Sequence, residues 1–246
     1  QVQICLWAAR TDAIRRVRLP EDAGMLVCYE GVAYFSAQSA DGATLTEQTK
    51  AVYRRYEALL KENGLRLENI LNGNIYCQDI TMQDEYEQQW IRWTYPGYKP
   101  AGTMVEGRPA DRKDLLALGL TFADSPEIAD VKRVKPAENC CRYVEYRKTA
   151  YFTGHVCLEA DAKDLYDHTK GVLRRFCKVF KEEYGLRMDR IISASAYISD
   201  IRQAPLFHKA WDEWFTPGTE PACSVIATRL LGDEFQIELA LIVADE

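Results

Sequence analysis

Tyr34-Phe35-Ser36-Ala37-Gln38 returns 117 residues later as Tyr151-Phe152-Thr153-Gly154-His155. Working outward, the likeness continues in register. Gln48-Thr49-Lys50 returns as His168-Thr169-Lys170, and Arg54-Arg55-Tyr56 as Arg174-Arg175-Phe176. Gly64-Leu65-Arg66 returns as Gly185-Leu186-Arg187, and Tyr76 with Asp79-Ile80 as Tyr197 with Asp200-Ile201. Trp90, Pro96 and Pro100-Ala101 return as Trp211, Pro217 and Pro221-Ala222. The offset settles at 120–121 after the first block, so one short insertion accounts for the drift. A period this long means two duplicated domains, not a solenoid array. The expected domains are 1–125 and 138–246, joined around Ser125-Pro126-Glu127 and Lys135-Pro136.

Each copy reads as alternating strands and helices. Met25–Gln38 and Cys141–Cys157 are rich in Tyr, Val, Phe and Cys and read as long strands or hairpins. In the segment that follows, Val52, Tyr56, Leu59 and Leu60 recur at the spacing of one helix face, with Gly64 as the stop. Val172, Phe176, Val179 and Phe180 repeat the pattern before Gly185. A buried strand, a second helix and two closing strands complete each copy, in the order β-β-α-β-α-β-β. This is an α+β fold with helices on one face of a mixed sheet. The uncovered face calls for association with another sheet.

Composition narrows the function classes. The chain has 246 residues, 31 basic against 37 acidic, and a formal net charge of −6. Nucleic-acid binders rely on Lys and Arg to neutralise phosphate, so that balance argues against one. No apolar run reaches the length that crosses a bilayer, so no membrane partner is expected. The eight cysteines form no CxxC pair and the three histidines no HxxxH spacing, so neither a metal nor a cofactor is expected. Most of the cysteines sit in apolar runs, as small hydrophobes do in a reduced, cytoplasmic protein.

In the Ser36-Ala37-Gln38 strand end, the Gln48-Thr49 helix start, the Tyr76…Asp79-Ile80 strand end and the run from Pro221-Ala222 to Ile237-Glu238, the chain resembles the YjgF/Rid family. These are the reactive intermediate deaminases, also called L-PSP endoribonucleases. The resemblance covers nearly all of each copy. It implies a chorismate-mutase-like fold, a homotrimer with small-molecule sites in clefts between domains, and hydrolysis of imino or enamino acids to keto acids and ammonia. It also implies an Arg directly after Pro-Ala and a Glu fifteen residues further on. Here the Arg position holds Gly102 in copy 1 and Cys223 in copy 2, and the Glu position holds Ala117 and Glu238. A guanidinium fork is not replaced by a thiol, so ordinary imino-acid chemistry is not the expectation.

Copy 2 is therefore the candidate active copy. Glu238 and Cys223 are the candidate catalytic residues, on consecutive strands and expected to face one cleft. The carboxylate would serve as base or orienter, and the thiol as nucleophile. His155 and His168 are candidate substrate-binding residues, at a strand end and a helix start. The Trp residues of the second helices read as packing. The expected function is a divergent hydrolase or deaminase acting on a small enamine, imine or amide, in a homo-oligomer and most simply a trimer. The alternative is a non-catalytic small-molecule-binding or assembly module.

Overall fold

The computed structural model describes residues 12–20, 23–95 and 97–244, with 183 and 184 by backbone only. Copy 1 contains β1 (Arg15–Arg18), β2 (Met25–Tyr29), β3 (Val32–Phe35), α1 (Leu45–Glu62), β4 (Ile70–Cys77), α2 (Gln83–Trp93), β5 (Ala101–Glu106) and β6 (Leu116–Ala123). Copy 2 contains β7 (Lys132–Pro136), β8 (Cys141–Tyr146), β9 (Thr149–Phe152), β10 (His155–Val156), α3 (Leu165–Val179), β11 (Ile191–Ile198), α4 (Ala204–Trp214), β12 (Ala222–Ala227) and β13 (Ile237–Ala244).

The first sheet runs β1-β2-β3-β6-β4-β5 and the second β7-β8-β9-β13-β11-β12, with β10 also on β13. The two orders are the same. In each, the last pair (β4–β5, β11–β12) is parallel and the other pairs are antiparallel. The duplication read from sequence is thus a duplication of topology, and the sheets are mixed as expected.

The sequence did not reveal β1 and β7. Arg15-Arg16-Val17-Arg18 and Lys132-Arg133-Val134-Lys135-Pro136 are charged edge strands. They pair through backbone to β2 and β8, and show too little apolar alternation to be seen. Lys135-Pro136, expected at a junction, lies within β7.

The helices form for local reasons as well as tertiary ones. Thr44 caps α1 by accepting from Glu47 N at 3.2 Å, while the Glu47 carboxylate accepts from Ala43 N at 2.8 Å. Gly64 leaves the helix at φ +66, and Gly185 leaves the matching helix of copy 2 at φ +64. Asp164 caps α3 through Asp167 N. The apolar stripe of α1 (Val52, Tyr56, Leu59) packs on Leu116, Leu118, Leu120 and Phe122 of β6. Trp90 and Trp93 pack with Tyr53, whose ring stacks on Trp93 at 4.2 Å, so these tryptophans are core residues as read. Tyr56 is fully buried; its hydroxyl donates to Leu118 O at 2.7 Å and accepts from Leu120 N at 3.2 Å.

By packing, the described chain forms two compact units, 12–147 and 148–244. The first unit is larger than copy 1 because it takes in β7 and β8. Arg133 donates to the carbonyls of Glu68, Ile70 and Lys99, Cys141 N to Pro100 O, and Trp90 Nε1 to Asn139 O. Seven cysteines are described and none is in a disulfide; Cys5 and Pro96 lie outside the described residues.

Candidate functional site

Strand β13 alternates strictly: Ile237, Leu239, Leu241 and Val243 are buried, and the residues between them are half-buried. The buried row matches the helix-facing row of β6, so Glu238 points to the opposite face. Its partners across the sheet are Tyr197 on β11 and Val156 on β10. Among the described residues no hydrogen bond or ion pair reaches its carboxyl, and desolvation pushes its pKa up to about 7. Gly154 lies against it. A Cβ on Gly154 would stand 2.7 Å from Glu238 Cδ and 2.9 Å from Cγ, and would overlap the carboxyl oxygen.

Copy 1 shows the same place without the chemistry. Tyr76 pairs with Ala117 as Tyr197 pairs with Glu238, and Gly73 pairs with Gly102 as Ala194 pairs with Cys223. Ala37 stands where Gly154 stands in the sequence repeat. Glycine beside glutamate in copy 2 therefore answers alanine beside alanine in copy 1. The small residue is placed where the large one needs room, a signal visible in the repeat but missed without the register.

The register corrects the expectation that Cys223 and Glu238 share one face. Cys223 is the Cα partner of Ala194, which is itself opposite Leu241 in the helix-facing row. Glu238 belongs to the row of Tyr197. Consecutive residues of a strand alternate faces, and the odd separation through these pairings puts the two on opposite sides of the sheet. Cys223 is half-buried.

The two histidines lie apart from Glu238 as well. His155 is buried opposite Leu239, with its ring 4.6 Å from that of Phe176 and Nδ1 2.7 Å from Thr153 O. Gln38 in copy 1 contacts Ser36 O in the same way and pairs with Leu118. The shared contact in the degenerate copy identifies this as strand-end support. His168 is buried at the start of α3 with Nδ1 unpartnered, and burial pushes its pKa down, keeping it neutral. Gln48, its counterpart, instead bonds Gly42 O, Lys113 O and Leu115 N. Burial pushes the thiols of Cys28 and Cys141 up to about 11, which removes both as nucleophiles at neutral pH. Among the described residues no group of three or more His, Cys, Asp or Glu could hold a metal ion. No described helix is long and apolar enough to cross a membrane.

The fold and site define a duplicated α+β protein with one carboxylate-bearing copy and one stripped copy. Residues 131–245 match the family model Endoribonuclease L-PSP. A RutC family protein of Haemophilus ducreyi is 29% identical over 99 residues, covering 40% of this chain and 83% of the relative. The RutC family protein YoaB of Escherichia coli K12 is 27% identical over 101 residues, covering 41% and 86%. A crystal structure of chorismatase matches with a TM-score of 0.63 at 10% identity, covering 92% of this chain and 85% of that one; it shares the fold across both copies. A putative translation initiation inhibitor from Salmonella typhimurium is similar over 47% of this chain and 97% of its own, at 25% identity and a TM-score of 0.41. Copy 2 of this tandem chain is similar to the YjgF/L-PSP family over residues 131–245, with Cys223 standing where the resemblance implies Arg.

Proposed function

We propose that copy 2 is a water-activating hydrolase site for a small imine, enamine or amide, with Glu238 as its general base. The observation that carries this reading is the Glu238 carboxyl: unpaired, lodged against Gly154, with a pKa near 7. A base is most effective when its pKa lies near the working pH, and perturbed carboxyls concentrate at functional sites. Ionised Glu238 takes a proton from water as the water oxygen bonds to the electrophilic carbon. The same carboxyl returns that proton to nitrogen, which breaks the C–N bond of an amide to give a carboxylic acid and an amine; from the carbinolamine of an imine it then passes the hydroxyl proton to nitrogen as the C–N bond breaks, leaving a carbonyl and ammonia or an amine. Among the described residues no ion pair reaches the Glu238 carboxyl, so uncharged imines or amides suit the site better than imino acids.

The proposal includes self-association as a trimer, with the open sheet faces turned to one another. Strand β12 is half-exposed or exposed along its whole length, whereas its counterpart β5 buries Ala101, Thr103 and Val105 beside β8. The net charge of −6 supports a small-molecule substrate over RNA.

The test is ammonia or carbonyl release from a panel of small imines, enamines and amides. Glu238→Gln should lower kcat by about 10²–10⁴-fold, and Cys223→Ser should leave it nearly unchanged. In wild type kcat/KM should rise with pH through about 7, as the base ionises. If Glu238→Gln turns over at the wild-type rate, or no substrate in the panel is consumed, the hydrolase reading fails and the binding-module reading replaces it.

A further inference from the structure

The turn between β5 and β6 of copy 1 encloses a cavity of about 230 Å3, lined by Gln78, Arg108, Pro109, Asp111, Arg112 and Asp114. Asp114 is 6% exposed, and among the described residues no hydrogen bond or salt bridge reaches its carboxyl. Its carboxyl oxygens are not sealed from the cavity, so the cation of a ligand can reach them. The neighbouring cation is engaged elsewhere: Lys113 Nζ binds Asp41 at 2.6 Å and lies 3.8 Å from Asp111. Arg108 and Arg112 are exposed and make no ion pair among the described residues. One small cavity thus holds the Asp114 carboxyl and the Arg108 and Arg112 guanidinium groups, none of them in an ion pair among the described residues, beside Asp111, whose carboxyl lies 3.8 Å from Lys113 Nζ.

The fold does not require Asp114. In copy 1 Asp114 N donates to Asp111 O at 3.1 Å, and in copy 2 the same turn forms through Phe235 N and Gly232 O at 3.2 Å. Phe235 therefore does locally what Asp114 does, and Asp233 stands where Arg112 stands. Arg108 has its counterpart in Arg229, whereas Asp114 and Arg112 belong to copy 1 alone. The backbone of the cavity's acidic end is also held in place beforehand. Buried Gln48 accepts from Leu115 N at 2.7 Å and donates to Lys113 O at 3.0 Å, fixing the backbone on both sides of Asp114. A fixed, charged, concave site is what small polar ligands use.

We propose that this cavity binds a small amino acid, with Asp114 taking the ammonium and Arg108 and Arg112 the carboxylate. Charge-assisted bonds at both ends distinguish such a zwitterion from a simple anion or cation. The site is independent of the Glu238 face, so it stands or falls separately from the hydrolase reading.

The experiment is calorimetric titration of the intact chain with L-alanine and L-glutamate, alongside propionate and ethylamine as half-ligands. An amino acid should bind at least about tenfold more tightly than either half-ligand. Asp114→Asn and Arg112→Ala should each weaken it by about tenfold or more, while Glu238→Gln binds as wild type. Arg112 is exposed, so its variant tests the site without loading the core. No binding of either amino acid up to about 50 mM overturns the proposal. So does equal binding of propionate alone, or binding that both variants leave unchanged.

Discussion

Removing the charge of Glu238 should stabilise this protein at alkaline pH. The carboxyl ionises near 4.5 in an unfolded chain and near 7 in the folded one. Between those values the folded state holds a proton that the unfolded state has released, so stability falls as pH rises through that window. The separation of about 2.5 pH units corresponds to about 3 kcal/mol, nearly all of it developed by pH 8 and little of it present at pH 4.5. Glu238→Gln keeps the shape and cannot ionise. Urea unfolding of wild type and variant at fixed protein concentration, from pH 4.5 to 8, measures the difference. The variant should gain up to about 3 kcal/mol relative to wild type across the series. A constant difference between the two proteins over this range would refute a desolvated, unpaired carboxyl. A difference of the opposite sign would mean that Glu238 has a cationic partner.

Three further outcomes follow from particular contacts. Gly154→Ala should displace the Glu238 carboxyl and cost about 1–3 kcal/mol. Glu238→Ala in the same chain should recover most of that, because it recreates the alanine pair of copy 1, and a double-mutant cycle by urea unfolding reads the coupling. Tyr56→Phe should lower stability by about 1–3 kcal/mol, since the hydroxyl serves Leu118 O and Leu120 N in the core; a thermal or urea melt checks it. Light scattering at micromolar concentration should give the mass of three chains, and a monomer would remove the sheet-face association.

Much of the fold was legible before any coordinates. The α1 and α3 stripes, Gly64 and Gly185, and the matched segments of the repeat located the helices, the inner strands and the duplication. These signals are local: amphipathic spacing, helix-ending glycines, and identity at a constant offset. Edge strands β1 and β7 were not legible, because runs of Arg and Lys lack the apolar alternation that marks a strand, and the inward contacts of Arg133 with the carbonyls of Glu68, Ile70 and Lys99 are made only in the folded chain. Glu238 could be singled out as a carboxylate on an apolar strand. The four candidate residues could not be sorted, since which side a residue occupies depends on how separate strands align. That alignment turns Cys223 away from Glu238 and gives His155 the same Thr153-type strand-end contact that Gln38 has in the stripped copy.

Sequence alone determined that this protein is one α+β unit made twice, with a carboxylate in the second copy where the first has alanine. Residue type and period suffice for that, because burial favours the same apolar rows in both copies. The tertiary structure alone decided which side chains meet. Gly154 and Glu238 are 84 residues apart in the chain, yet one vacates the volume that the other fills. Asp114 is buried on a turn whose counterpart in copy 2 holds Phe235. Both facts arise from strand register and packing between segments far apart in sequence, where a shift of one residue exchanges the two faces of a strand.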